Sequence, residues 1–156
     1  MLDGEGVATR KYDGACCLVR GSKLFKRYEV GRGKKPPAAF EAASEVDPAT
    51  GKQQGWLPVG DGPEDRWFRE AMSDFESLGD GTYELVGPKV QGNPENFGFH
   101  TLVRHGRHLL HDCPRDYAGL KAYLDKAGIE GVVWHHDDGR MVKIKAKDFG
   151  LVRIPF

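Results

Sequence analysis

The chain has 156 residues, enough for a domain with a proper core, and carries 23 Lys and Arg against 23 Asp and Glu, a formal net charge of zero. That neutrality argues against a protein that coats nucleic acid without regard to sequence, and hydrophobic and charged contents of 39% and 29% are ordinary for a globular protein in water. No apolar run approaches a membrane span, MLDGEGVATRK lacks a signal-peptide core, and three cysteines without a C-x-x-C pair exclude the usual structural zinc, so a cytoplasmic protein with no membrane association is expected.

In chain order, GVATRKY and ACCLVRG predict strands with KYDG at their junction. KLFKRYEV alternates Leu24, Lys26, Tyr28 against Phe25, Arg27, Glu29, and Gly21-Ser22 before it is a hairpin signal. GRGKKPP ends that unit, because Pro36 and Pro37 cannot continue a ladder. Turns at Asp47-Pro48 and Thr50-Gly51 lead to a short apolar patch of Trp56, Leu57 and Val59. Pro63 opens a helix, PEDRWFREAMSDFESL, with two acids in its first turn and Trp67, Met72, Phe75 and Leu78 on one face, Phe68 alongside. TYELVGP and FHTLVRHG predict strands around a Gly, Asn and Pro-rich loop. Pro114 starts a second helix that Gly128 stops. IEGVVWHH and MVKIKAK predict a closing hairpin turned at Asp138-Gly139. Strands and helices do not alternate regularly, so the fold class is α+β, mainly antiparallel sheets with flanking helices, in a single domain over residues 1–156 with no separate C-terminal domain.

The charges are uneven. Arg20 to Lys35 holds seven cations against one acid, Glu29, and MVKIKAKDFGLVR repeats the bias. Most such lysines are solvated surface, but two basic segments far apart in sequence can converge on one phosphate-rich site. Lys11, in KYDG, raises the sharper question. A lysine amine acts as a nucleophile only where desolvation, nearby cations or a metal favour its neutral form. If its target is a nucleoside triphosphate, carboxylates for a divalent ion and further lysines for the phosphates are required. Glu84 sits among Tyr83, Leu85 and Val86; Glu130 opens EGVVW; Lys143 and Lys145 are two apart and share a strand face.

KYDG, YELVG, EGVV and KIKAK, in that order, resemble the motifs of the covalent nucleotidyltransferases: ATP-dependent DNA and RNA ligases and mRNA capping enzymes. ATRKYDGACC is similar to the opening motif of phage-type RNA-repair ligases. ELVGPKVQGNPENFG with FHTLVRHG, and GWLPVG upstream, resemble the animal 5′-to-3′ RNA ligase family. The resemblance runs from Val7 to about Gly150. It implies a nucleotidyltransferase (ligase adenylation, ATP-grasp-like) domain using ATP and Mg²⁺ or Mn²⁺, and an RNA partner with 5′-phosphate and 3′-hydroxyl ends.

On that resemblance Lys11 takes AMP as a phosphoramidate, Asp13 shapes the lysine loop, and Gly14 allows close backbone approach. Thr9 and Arg10 fall in the same nucleotide-binding segment. Arg27 contacts ribose or phosphate, with Lys26 as rival. Glu84 binds ribose and helps hold the metal, Glu130 is the second metal ligand, and Val133 touches the adenine face. Lys143 and Lys145 bind the triphosphate. The adenine stacks on one of Phe99, His100 or Leu102, with Leu102 placed in the nucleotide set. His105 and His108 read as surface or packing histidines. The alternatives are a DNA ligase or capping-type enzyme, or a nucleotide- or RNA-binding module without turnover.

Overall fold

The computed structural model describes residues 3–73 and 78–153. They form nine strands and two α-helices: β1 (Val7–Lys11), β2 (Ala15–Arg20), β3 (Lys23–Val30), β4 (Glu41–Ala42), β5 (Gln53–Pro58), α1 (Arg66–Ser73), β6 (Gly81–Val86), β7 (Thr101–Arg104), α2 (Tyr117–Ala127), β8 (Gly131–His135) and β9 (Met141–Lys145). The expected α+β class with antiparallel sheets is the one observed. The chain divides into two compact units, one made of residues up to Asp13 and from His105 onward, the other of Gly14–Arg104.

In the first unit β1, β8 and β9 form a sheet in the order β1-β8-β9. The register sets Lys11 opposite Gly131 and Gly131 opposite Lys145; Thr9, Val133 and Lys143 form the next such row. Because strand side chains alternate in direction, Thr9, Lys11, Val133, Lys143 and Lys145 all project from one face. The other face carries Ala8, Val132 and Trp134 into a core completed by Leu120 and Leu124 of α2, Ile129 and Phe149. Truncating either buried leucine to alanine should cost about 2–5 kcal/mol. The second edge of β1 is also held: Arg10 N donates to His108 O at 2.8 Å and Leu110 N to Ala8 O at 2.9 Å.

Helix α2 begins three residues after Pro114. Asp116 is extended (φ −90°, ψ 160°) and its carboxylate accepts from Gly119 N, so this cap and not the proline fixes the start. Gly128 closes the helix at φ 63°, as its sequence position implies. Strand β9 stops at Lys145, and Ala146–Phe149 turn into a 3₁₀ segment, which removes Ala146 from the alternation expected of MVKIKAK.

The second unit is a six-stranded sheet in the order β4-β5-β3-β2-β6-β7. One face, with Cys17, Val19, Leu24, Tyr83, Leu85 and Leu102, packs on Trp67, Phe68, Ala71 and Met72 of α1. The GWLPV patch is strand β5, hydrogen-bonded to β3 and to the short β4. The predicted 63–78 helix is shorter than its pattern: Pro63–Asp65 is 3₁₀, α1 ends its described course at Ser73, Leu78 lies outside the helix, and Phe75 lies outside the described residues.

Candidate functional site

Lys11 is the last residue of β1, and its Nζ donates to Glu130 Oε2 at 2.5 Å. Both side chains are about one-fifth exposed, at 20% and 18%. Glu130 immediately precedes β8, across from Lys11, and Gly131 between Lys11 and Lys145 has no side chain. A Cβ there would overlap the Ile144 carbonyl oxygen, so the glycine of EGVV is what lets β9 lie close and leaves room between the two lysines. Burial raises the pKa of Glu130 most, and Asp13 adds to the rise; the hydrogen bond and charge of Lys11, and the charge of Lys145, oppose it. Lys11, Asp13, Glu130 and Lys145 therefore form one electrostatic group. Lys143 is exposed on the same face, one row away beside Val133.

Thr9 and Arg10 are occupied in holding this strand. The Thr9 hydroxyl, on a residue 2% exposed, donates to Val133 O at 3.1 Å, so its single proton is committed and His135 Nε2, 3.0 Å away, is the donor to Thr9 Oγ1. Burial and the nearby His105 lower the pKa of His135. The Arg10 guanidinium lies 4.5 Å above the Tyr12 ring, and the Tyr12 hydroxyl shares a 2.8 Å hydrogen bond with Nδ1 of the exposed His108. Tyr12 and His135 carried no signal in the strand pattern; their roles come from partners on distant segments.

In the second unit Gly14 N donates to Glu84 Oε1 at 3.1 Å. A Cβ on Gly14 would overlap the Leu85 carbonyl oxygen, so the approach that forms this bond requires glycine. Glu84 is 9% exposed and opposite Cys16 of β2 and Val103 of β7. Continuing the β2–β3 register by one residue sets Arg27 beside Cys16 and opposite Trp56, so Glu84, Cys16, Arg27 and Trp56 make one row across the face away from α1. The Arg27 guanidinium lies 4.6 Å over the Trp56 ring. Lys26 points to the helix face, where its Nζ donates to Asp65 Oδ1 at 2.5 Å, and Asp65, 3% exposed, also accepts from Gly60 N. Of the two rivals, only Arg27 shares the face of Glu84.

The adenine-stacking candidates separate clearly. Leu102 is 6% exposed, opposite Leu85, and packs in the core of the second unit. Strand parity turns Leu102, the residue placed in the nucleotide set, toward α1, and Val103 takes the face of Glu84. His100 is 3% exposed, stacked on Trp67 at 4.5 Å and bonded to Glu70 and to Lys89 N, a packing histidine. Phe99 is 59% exposed.

The carboxylates of Glu84, Glu130 and Asp13 are hard oxygen donors of the kind Mg²⁺ and Mn²⁺ prefer. The mutual repulsion by which Asp13 raises Glu130 is what a divalent cation relieves. Glu130 with Asp13 in the first unit, and Glu84 by itself in the second, are oxygen donors of the kind such an ion takes.

No helix among the described residues is long and apolar enough to cross a membrane. A family model described as RNA ligase 1 matches residues 61–155, a span that holds Glu84, Glu130, Lys143 and Lys145 and begins after Lys11 and Arg27. RNA ligase 1 of Mus musculus is 23% identical over 221 residues, covering 94% of this chain and 68% of that protein. RNA ligase 1 of Danio rerio is 25% identical over 219 residues, with 93% and 67% covered. That of Pongo abelii is 23% identical over 221 residues, with 94% and 68% covered. The family model alone takes in more than half of the chain, and the chain belongs to the RNA ligase 1 family.

Proposed function

We propose that this protein is an ATP-dependent RNA ligase that works through a covalent lysyl-AMP at Lys11. The observation that carries this reading is the ion pair of Lys11 with Glu130 in the row that also presents Lys145, together with membership of the family. Lys11 attacks the α-phosphorus of ATP: an N–P bond forms as the bond to the pyrophosphate oxygen breaks. The amine must react in its neutral form. The proton it holds toward Glu130 leaves to water before attack, and Glu130 orients the amine through their hydrogen bond. Lys143 and Lys145 neutralise the departing pyrophosphate. Arg27 and Glu84 bind ribose or phosphate, and Val133 meets the adenine. Glu84 and Glu130 are the carboxylates we assign as ligands of Mg²⁺ or Mn²⁺, which would supply further charge neutralisation when bound.

AMP then passes to an RNA 5′-phosphate, and a 3′-hydroxyl attacks that adenylated end and expels AMP. The test is incubation with α-labelled ATP or GTP and Mg²⁺, followed by denaturing electrophoresis and peptide mass spectrometry. An added AMP mass on the peptide holding Lys11 is expected, followed by sealing of 5′-phosphorylated RNA. Label from GTP alone would indicate a capping-type enzyme, sealing of DNA alone a DNA ligase, and absence of label a binding module.

A further inference from the structure

The cations of the second unit are not equally engaged. Among the described residues Arg20 pairs with Glu41, Lys26 with Asp65, and Lys52 with Glu29. Arg27 lies over Trp56. Arg32, Lys34 and Lys35, in the connection from β3 to β4, are exposed and make no ion pair among the described residues. This connection is built to hold them out. Lys34 N donates to Gly31 O at 2.9 Å, Gly33 is left-handed at φ 68°, and Pro36-Pro37 stiffens the chain beyond Lys35. The stem of Arg32 lies so close to Gly51 that a Cβ there would meet its Cγ at 2.6 Å. The Glu29 and Glu41 carboxylates are already paired with Lys52 and Arg20, so neither is a counter-ion of the loop.

Aromatic rings stand at both ends of the same connection. Tyr28, near the end of β3, is 37% exposed. Phe40 meets it edge-on at 6.1 Å and 67°. The Phe40 ring rests on the backbone of Gly55, the residue opposite Tyr28 in β5, where a Cβ would overlap it. Tyr28 shares the strand parity of Leu24 but lies outside the cluster that α1 covers. Unpaired cations beside an open aromatic face are the two ingredients of a single-strand nucleic-acid platform: phosphates are tracked by charge, and bases stack without regard to sequence.

We propose that Arg32, Lys34 and Lys35, with Tyr28 and Phe40, form a docking surface for the single-stranded body of the RNA substrate, separate from the residues that handle nucleotide and reacting ends. The choice of RNA among polyanions rests on the ligase reading above. The surface binds about three phosphates through the loop and one base through Tyr28.

The experiment measures binding of a fluorescein-labelled single-stranded oligouridine to the full chain across a KCl series, by anisotropy. Each single-strand phosphate contact contributes about 0.7 to the slope of log K against log salt. Replacing Arg32, Lys34 and Lys35 together by Ser is therefore expected to reduce the slope by about 2 and to weaken binding at least tenfold at low salt. Tyr28→Ala is expected to weaken binding by about tenfold with the slope unchanged, and Tyr28→Phe to restore it. An unchanged slope and affinity in the triple variant, or no measurable binding by the wild-type chain, overturns the proposal. The triple change sits on exposed loop residues, so the test survives a folding defect in Tyr28→Ala. ATP labelling of Lys11, measured in parallel on the wild-type chain, separates the two ideas. Failure to label with the salt slope as expected removes the ligase reading alone; labelling with no slope change removes this surface alone.

Discussion

Replacing Lys11 by Ala should do two separable things. It should abolish covalent AMP, and it should leave Glu130 without the partner that supports its charge. The cost of the second can be bounded. Exposed ion pairs contribute about 0–1 kcal/mol, whereas removing one partner of a buried pair costs about 3–5 kcal/mol. With both side chains about one-fifth exposed, the loss near neutral pH should be about 1–2 kcal/mol, or roughly 2–8 °C in Tm for a chain of this size. Its pH dependence has a definite sign. The pKa of Glu130 is already raised, mainly by burial, so its contribution to stability is greatest below the unfolded value of about 4.3 and is lost as pH rises through the folded value. Without Lys11 that value rises further. The deficit of Lys11→Ala relative to wild type should therefore be full near neutrality and shrink as pH falls toward about 4. Adding Glu130→Gln should recover most of the neutral-pH loss, because no buried charge then remains unpaired. Urea denaturation followed by circular dichroism at several pH values measures all of this. A double variant as unstable as Lys11→Ala, or a deficit that grows in acid, would refute the assignment of the pair, and a Lys11→Ala protein that still takes label would refute the nucleophile.

Three further outcomes test neighbouring parts of the molecule. Arg27→Ala should slow labelling at least about tenfold with little loss of stability, while Lys26→Met should label near the wild-type rate yet lose about 2–3 kcal/mol, because Asp65 is left buried and charged; similar labelling defects in both would reverse the choice between them. Gly14→Ala should lose about 1–3 kcal/mol as its Cβ meets the Leu85 carbonyl, and its labelling rate should fall as Glu84 loses the Gly14 amide, which calorimetry and single-turnover labelling together can show. Burial, with Cys16 and Glu84 beside it, pushes the Cys17 thiol far up, so iodoacetamide at neutral pH should leave Cys17 unmodified in the native protein and reach it only after unfolding, as peptide mass spectrometry would report.

The local grammar of the chain was readable. The alternation in ACCLVR and KLFKRYEV, the turn at Gly21-Ser22 and the αL stop at Gly128 all appear where the residues place them. The faces were not readable. KLFKRYEV carries a cation on each side of the strand, and only the pairing of Lys26 with Asp65, 39 residues away, decides which side packs on α1. The apolar patch of Trp56 and Leu57 is part of strand β5, whose Gly55 leaves space that the Phe40 ring fills. At Leu102 and Val103 one residue of parity separates a core side chain from one beside Glu84. For Lys11 and Glu130 the order of motifs along the chain pointed to a shared role, but their contact depends on a pairing of β1 with β8 that no local pattern encodes.

The first unit is threaded from both ends of the chain, and this bears on how the protein is made. Thr9 must wait for Val133, 124 residues later, before β1 has a partner in its sheet. At ribosomal speeds of about 5–20 residues per second the amino-terminal segment idles for roughly 6–25 s, while the uninterrupted Gly14–Arg104 stretch has all of its own strands at hand and can fold ahead of it. During synthesis Lys11 is therefore an ordinary solvated side chain. It acquires its partner Glu130 only when the β8–β9 hairpin emerges. A split protein, with the β1 peptide supplied separately to the remainder, should regain that lysine's environment by strand addition alone.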